Sequence, residues 1–434
     1  VFARRIAVIG TGYVGLTTGA CLASLGHRVV CADIDTAKID RLRRGEVDIL
    51  EPGLPELVGE GLAAGRLRFA LGARAAVIGD DRADAEIVFL CVPTPMGEGG
   101  AADLRAVQAV VDEVGALLPP GCVIVNKSTV PVGTAATTAA MLARDDVAVV
   151  SNPEFLREGS AVHDFLHPDR IVVGSGSQSA AERVAALYAR LGAPTLLTDA
   201  ASAEMVKYAA NCFLAMKLSY VNALAGLCER LGADVAEVTE GMGYDRRIGK
   251  AFLSPGPGWG GSCFPKDTHA LLRTAEAAGV GFELIAASLR QNDTTRALVV
   301  DKVRAAAGGS LAGRRIGLLG LTFKAGTDDL RDSPALAVAA LLRAEGAELA
   351  AYDPAHPRGV PGTTDGIDVV EDPLEAAKEA DALVVLTDWP QFRTLDWSAL
   401  GGVIGTRVVV DARNLLDADI LRRAGFTWTG LGRG

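Results

Sequence analysis

The segment Gly256-Pro257-Gly258-Trp259-Gly260-Gly261-Ser262-Cys263-Phe264-Pro265-Lys266-Asp267 presents one thiol in a glycine-rich loop beside a base and an acid. Glycines lack a Cβ and let a substrate come close to the backbone. A nearby ammonium favours the thiolate, which is the form that attacks carbon. The plainer alternative is a tight loop with an incidental cysteine. Of the seven cysteines, Cys21, Cys31, Cys91, Cys122, Cys212 and Cys228 lie in or beside apolar runs and read as small core residues, which leaves Cys263 apart. An odd number without CxxC spacing is neither a disulfide framework nor a zinc site, and fits a reducing cytoplasm.

Further candidates flank this loop in sequence. Asn152-Pro153-Glu154-Phe155-Leu156-Arg157-Glu158 sets two carboxylates four residues apart. They share a face if Pro153 starts a helical turn, and could equally be solvated carboxylates at a helix start. Lys207 and Asn211 have the same spacing on a helical pattern. Lys207 sits between Val206 and Tyr208, so it is either a partly buried cation able to stabilise an alkoxide or carry a proton, or a side chain that snorkels to water. His163 and His167 are four apart, yet HDFLH lacks the glutamate of a zinc-protease helix and a third ligand, so no metal is expected.

Ile6–Ile9 runs into Gly10-Thr11-Gly12-Tyr13-Val14-Gly15 and then an alanine-rich helix, the context in which a GxGxxG match points to a dinucleotide. Gly10 allows the tight turn, Gly12 lets a pyrophosphate approach, and Gly15 lets the helix pack on the strand. Backbone N–H groups at the helix start would hold the diphosphate. Asp33 ends the second strand, where a carboxylate can accept from the adenosine ribose. That favours NAD, since Asp33 and Asp35 would repel a 2′-phosphate. Two later strand ends, Cys91-Val92-Pro93-Thr94-Pro95 and Lys127-Ser128-Thr129-Val130-Pro131, should line the same crevice, although ordinary turn punctuation explains either alone.

The elements that position these groups follow from the apolar pattern. Strands are expected at Arg5–Ile9, Arg28–Ala32, Ile87–Val92, Val123–Lys127 and Val147–Ser151, alternating with helices and followed by a strand-helix-strand signal around Arg170–Thr198. That alternation predicts a parallel sheet covered on both faces. Ala203 to about Leu231 reads as one helix of roughly 40 Å. Its wide apolar faces suit a dimer contact or a buried intradomain helix. After Gly313 a second alternation places strands at Arg315–Leu319, Glu348–Tyr352, Ala382–Leu386 and Arg407–Val410. The expected class is α/β, with two Rossmann-like doubly wound domains (1–200 and 306–434) joined by a long central helix and a helical middle domain (201–305). The second α/β domain has no GxGxxG after its first strand. Gly320-Leu321-Thr322-Phe323-Lys324-Ala325-Gly326-Thr327-Asp328-Asp329-Leu330-Arg331 instead offers two cations at its crevice, and Asp411-Ala412-Arg413 another, which points to a phosphate-bearing ligand.

A length of 434 residues suggests two or three domains, and a net charge of −10 argues against nonspecific nucleic-acid or anionic-membrane binding. Arg4-Arg5 before an apolar stretch could pass for a secretion signal, but the glycines that follow have the explanation given above. Lys217 divides the best apolar segment below the roughly 20 residues a bilayer requires. A soluble protein is expected.

Together, GTGYVG, CVPTP, KSTVPVGT, NPEFLREG, EMVKYAAN, RIG, GWGGSCFPKD, GLTFKAGTDDLRDSP and DAR, in this order over nearly the whole chain, resemble the UDP-glucose/GDP-mannose dehydrogenase family. The resemblance implies a four-electron oxidation of a primary alcohol to a carboxylate with two NAD⁺. Cys263 would trap the aldehyde as a thiohemiacetal that becomes a thioester, which water releases. It implies that Lys207 and Asn211 stabilise the oxyanion and that Thr129, Glu154 and Asp267 handle protons and water, leaving open which is the base at each step. Gly10, Thr11, Gly12, Tyr13, Val14, Gly15, Asp33, Lys38, Pro93, Thr94, Ser128, Thr129, Glu158, Lys266 and Arg331 match NAD contacts. Glu154, Phe155, Leu156, Arg157, Lys207, Asn211, Phe252, Leu253, Ser254, Pro255, Gly256, Gly260, Phe323, Lys324 and Arg413 match contacts to a UDP-sugar. Arg247 matches an arginine that in relatives reaches the neighbouring subunit's ligand, so a homodimer is implied. Pro257 stands where relatives often carry a bulkier residue, which bears on uracil and ribose packing. SCFPKD after GWGG resembles the enzymes acting on UDP-glucose more than those acting on GDP-mannose or UDP-N-acetylmannosamine.

Overall fold

The computed structural model describes residues 3–78 and 84–433. The chain packs as two compact units, Val1–Ala210 with His269–Ala278, and Asn211–Thr268 with Gly279–Gly434.

The first unit is built on an eight-stranded sheet of β1 (Arg5–Ile9), β2 (Arg28–Asp33), β3 (Leu67–Leu71), β4 (Ile87–Leu90), β5 (Val123–Asn126), β6 (Ala148–Ser151), β7 (Ile171–Gly174) and β8 (Thr195–Thr198), in the order β3-β2-β1-β4-β5-β6-β7-β8. Alternate residues of β1 enter different cores, Ile6 and Val8 one and Ala7 and Ile9 the other, so helices cover both faces. Every residue of β4 and β5 is buried, and apart from Asn126 at the end of β5 all are apolar, as expected of central strands covered on both faces. The expected all-parallel sheet holds through β6. β7 then pairs antiparallel to β6, with β8 parallel to β7. Between β6 and β7 lies only the six-residue helix Ala161–Leu166. β3 escaped the sequence reading because Arg68 interrupts its short apolar pattern.

In the second unit β9 (Arg315–Leu319), β10 (Glu348–Tyr352), β11 (Asp368–Val369), β12 (Ala382–Val385), β13 (Val408–Asp411) and β14 (Thr427–Gly430) form a parallel sheet ordered β11-β10-β9-β12-β13-β14. The strand order reverses between β1 and β4 in the first sheet and between β9 and β12 in the second. Ligand crevices open at such reversals, beyond the strand C-termini.

Residues 201–305 contribute helices to both units: Ala200–Leu231, Val235–Gly243, Phe264–Ala277 and Glu283–Ala306. The first starts three residues earlier than its apolar pattern suggested. Among the described residues, no helix is long and apolar enough to cross a membrane.

Candidate functional site

In the first unit the glycine turn after β1 is set by contact. Gly10 has φ +97°, and a Cβ on it would lie 2.6 Å from the Cys91 carbonyl oxygen at the end of β4. A Cβ on Gly15 would lie 1.9 Å from the Gly10 oxygen. Gly12 differs, because its Cβ would meet nothing within 4 Å. It opens the helix Tyr13–Ser24 with no side-chain cap, so the cap residue supplies no acceptor to the first N–H groups. That is the cradle a diphosphate needs, and the residues present fit a dinucleotide.

Asp33 Oδ2 accepts from Thr11 N at 3.0 Å and from Thr11 Oγ1 at 2.6 Å, with Lys38 Nζ 3.9 Å away. Burial opposes ionisation of Asp33, but the Thr11 and Asp35 donors and Lys38 outweigh it and hold the carboxyl below its ordinary range. The two expected strand-end loops are tied together: Thr94 Oγ1 donates to the Thr129 carbonyl at 2.8 Å, and Ser128 Oγ to the Val92 carbonyl at 2.7 Å. Pro93 is exposed and Thr129 half-buried. Tyr13 hydroxyl bonds Glu51 and the Arg157 carbonyl. Val14 packs beside the core.

Pro153 does not start a helical turn. Residues 152–157 form an irregular loop, and Glu154 and Glu158 do not share a helix face. The loop is instead organised around Glu154, which is buried. Its Oε1 accepts from Lys207 Nζ at 2.8 Å and its Oε2 from Leu156 N at 2.6 Å. Burial would push the Glu154 carboxyl up, yet Lys207, the Leu156 N–H and Lys127 hold it below its usual range. Lys207 is 3% exposed, so it does not snorkel. The Phe155 ring lies 3.7 Å from the Arg170 guanidinium and 5.5 Å from Lys207 Nζ. Arg157 pairs with Asp164 at 2.6 Å, and Glu158 is half-exposed.

In the second unit Cys263 immediately precedes the helix Phe264–Ala277, whose positive end favours an anion there. It is half-buried, whereas the other six cysteines are buried. One turn on, Asp267 is fully buried. Its N–H donates to the Cys263 carbonyl at 2.9 Å, its Oδ1 accepts from Lys266 Nζ at 2.6 Å, and its Oδ2 accepts from Asn211 Nδ2 at 2.6 Å. Asn211 lies one turn beyond Lys207 on Ala200–Leu231.

The glycine-rich loop before Cys263 is fixed by amides that sequence reading did not single out. Gly256 N donates to Asn222 Oδ1 at 2.8 Å and Trp259 N to Asn292 Oδ1 at 2.8 Å, while Trp259 Nε1 reaches Ser219 Oγ at 2.8 Å. A Cβ on Gly260 would lie 1.9 Å from the Asp332 oxygen, and one on Gly256 3.1 Å from Arg413 Nη1. Phe252 has φ +61°, a conformation unusual for a bulky residue. Leu253, Pro255 and Pro257 are buried, and Ser254 is exposed. Arg413 donates through Nε to the Leu386 carbonyl at 2.8 Å and through Nη2 to the Phe323 carbonyl at 3.1 Å, which places it at the β9–β12 reversal with Phe323. Burial lowers its guanidinium below the ordinary range. Lys324 Nζ lies 5.6 Å from the Phe323 ring. Arg331 is exposed and paired with Asp329, and Arg247 is exposed and paired with Asp245.

His163 and His167 stack at 4.6 Å. Among the described residues, no group of three His, Cys, Asp or Glu side chains could hold a metal.

Residues 4–192 match the NAD binding domain of the UDP-glucose/GDP-mannose dehydrogenase family, 201–294 its central domain and 317–418 its UDP binding domain. A UDP-glucose 6-dehydrogenase of Rhizobium meliloti is 45% identical over 99% of both chains. One of Bacillus subtilis is 44% identical over 99% of this chain and 93% of its own. A UDP-glucose dehydrogenase structure from Pyrobaculum islandicum superposes with TM-score 0.90 at 39% identity, covering 100% of this chain and 98% of its own. A UDP-D-ManNAc dehydrogenase from Pyrococcus horikoshii gives 0.87 at 30% identity, covering 99% of each.

Proposed function

The chain belongs to the UDP-glucose/GDP-mannose dehydrogenase family, and from that membership we propose that it oxidises UDP-glucose to UDP-glucuronate through a covalent intermediate on Cys263. The net reaction converts the C6 primary alcohol, two NAD⁺ and one water into a carboxylate, two NADH and three protons. Gly10–Gly15, Asp33, Lys38, Thr94, Ser128 and Glu158 would hold NAD⁺, with Lys266 and Arg331 assigned to it from the family match alone, and NAD⁺ would supply the hydride acceptor for each two-electron step.

The protein's own groups divide the remaining work. The Cys263 sulfur bonds the aldehyde carbon to give a thiohemiacetal, and oxidation at that carbon makes a thioester. Water then adds to the thioester carbonyl and the C–S bond breaks, returning the thiol. Lys207 and Asn211, one turn apart, are assigned to the alkoxide oxygen, which a cation and an amide N–H both stabilise. Thr129, Glu154 and Asp267 are assigned to proton and water handling. Phe252–Gly260, Phe323, Lys324 and Arg413 are assigned to the nucleotide. The carrying observation is Cys263 at a helix N-terminus, one turn from an Asp267 held buried between Asn211 and Lys266.

Along Ala200–Leu231, Phe213, Tyr220, Leu227 and Leu231 are exposed, the first three at seven-residue intervals. That stripe supports a homodimer, with Arg247 turned to the partner's ligand. Buried free thiols support a reducing, cytoplasmic setting.

The test is NADH yield per sugar over UDP-glucose, GDP-mannose and UDP-N-acetylmannosamine. Two NADH per UDP-glucose, and loss of turnover in Cys263→Ser, are expected. One NADH per sugar or an active Cys263→Ser would reject the covalent route, and preference for another sugar would reassign the substrate.

A further inference from the structure

Lys127 begins the loop after β5 and is only 5% exposed. Its ammonium is held by neutral groups: Nζ donates to Asn152 Oδ1 at 3.1 Å and to the Tyr188 hydroxyl at 3.4 Å. Tyr188 in turn donates to Asn152 Oδ1 at 2.7 Å, and Asn152 Nδ2 to the Val172 carbonyl at 2.8 Å. A full charge buried among neutral acceptors is costly without a counter-charge. The neighbouring carboxylate is Glu154, two residues beyond Asn152. The titratable groups facing Lys127 are Cys91 at the end of β4, Glu154 on the loop after β6, Lys207 on the long helix and Tyr188.

We propose that Lys127 is a positioning residue for the oxidation: its ammonium pins the loop carrying Thr129 to the loop carrying Glu154, and is the second cation that keeps Glu154 a carboxylate beneath Lys207. This rests on the catalytic reading above. Lys127 does not reach substrate; it acts through Asn152 and Glu154. Burial and Lys207 depress its ammonium while Glu154 and Cys91 support it, leaving it to titrate at about 8. As pH rises through that value, Lys127 loses its proton and its charge, its bond to Asn152 falls from a charge-assisted to a neutral one, and Lys207 becomes the one cation left beside Glu154, with the Leu156 N–H. Turnover should therefore fall on the alkaline side through kcat rather than KM.

The test compares kcat and KM against pH for the wild type, Lys127→Met, Lys127→Arg and Tyr188→Phe, together with ¹⁵N NMR of lysine-labelled protein without cofactor. Expected are one ammonium titrating near 8 that is missing in Lys127→Met, and a kcat at least about tenfold lower in that variant, without the alkaline limb and with KM for UDP-glucose nearly unchanged. Arginine, which stays charged, should restore most of the turnover and remove the limb. Tyr188→Phe, which takes one acceptor from the ammonium, should move the limb to lower pH, and this decides the matter if Lys127→Met does not fold. Wild-type kcat and limb in Lys127→Met, or an unmoved limb in Tyr188→Phe, would overturn the proposal. A wild-type protein that oxidises no nucleotide sugar would instead overturn the catalytic reading, while the NMR titration still reports whether Lys127 is a buried, depressed ammonium.

Discussion

Asn211 Nδ2 donates to Asp267 Oδ2 at 2.6 Å, and both side chains are buried. With Lys266 on the other oxygen, Asp267 is a buried acceptor for a neutral and a charged donor at once. Removing it by Asp267→Ala strands both donors. A stability loss of about 1.5–3 kcal/mol is expected, since hydrogen bonds to charged groups are worth that much. Asp267→Asn keeps the shape and removes the charge. One acceptor oxygen becomes an amide donor facing Asn211 or Lys266, so the variant should lose no more stability than Asp267→Ala yet turn over at least about a hundredfold more slowly, within the range of lost acid–base groups. Thermal unfolding read beside steady-state kinetics separates the two; an Asp267→Asn enzyme with wild-type kcat would remove Asp267 from the chemistry.

Glu154 gives a pH-dependent stability of definite sign. Its folded-state carboxyl lies below the ordinary value of 4.5 because Lys207, the Leu156 N–H and Lys127 overcome the opposing burial. A depressed carboxyl contributes stability that is fully present above the unfolded value and is lost as pH falls through the folded one. Urea unfolding of the wild type and Glu154→Gln should show a constant difference at neutral pH that shrinks once pH drops below 4.5. A difference that grows on acidification would contradict the assignment. Glu154→Ala, which removes the carboxylate that Lys207 Nζ meets at 2.8 Å inside the fold, should cost about 3–5 kcal/mol.

The parts of the fold legible in the sequence are those set by local pattern. The turn Gly10–Gly15 needs its glycines because Cys91 and the Gly10 oxygen stand where side chains would go, and Asp33 ends its strand as expected. β11 went unread because a two-residue strand leaves no periodicity to detect, and β14 because Thr427-Trp428-Thr429-Gly430 lacks the aliphatic run that marked the other four-residue strands. The Glu154 loop was misread as a helical turn because proline and an i,i+4 carboxylate pair are local signals, whereas Lys207, 53 residues away, organises it. Lys127, Asn152 and Tyr188 could not be assembled from sequence for the same reason, although a lone lysine closing an apolar strand was a visible sign. The amides of Asn222 and Asn292, which hold the cysteine loop, sit on helices and carry no motif of their own.

A strand-end aspartate recurs in the second unit with a different burden. Asp353 follows β10, is fully buried, and accepts from Leu321 N at 2.6 Å and Thr322 N at 3.0 Å, as Asp33 accepts from Thr11. Asp33 remains partly exposed and so can also meet a ribose. Asp353→Ala should therefore lower stability by about 1–3 kcal/mol, the cost of orphaned buried donors. Asp33→Ala should chiefly raise KM for NAD and narrow the preference over NADP, by about tenfold or more as one hydrogen-bonded, charge-selective contact is lost. Kinetics with both cofactors check this; an unchanged NAD to NADP ratio would count against Asp33 as the selector.

Gly12 and Gly15 should separate cofactor binding from folding within one motif. At Gly15 an added methyl meets the Gly10 oxygen at 1.9 Å, a backbone atom that cannot move without opening the turn, so Gly15→Ala should destabilise the whole unit. At Gly12 the methyl enters open space, and the backbone is extended with φ −67°, which any residue adopts. Gly12→Ala should therefore melt within about 0.5 kcal/mol of the wild type, as substitutions that touch nothing do. The space it fills is the one a diphosphate needs, so NAD affinity by calorimetry should fall by about tenfold or more, a methyl-sized clash being worth at least one factor of ten. Equal NAD affinity in Gly12→Ala would mean that the diphosphate does not lie on this helix start, and the cofactor would have to be placed elsewhere on the sheet.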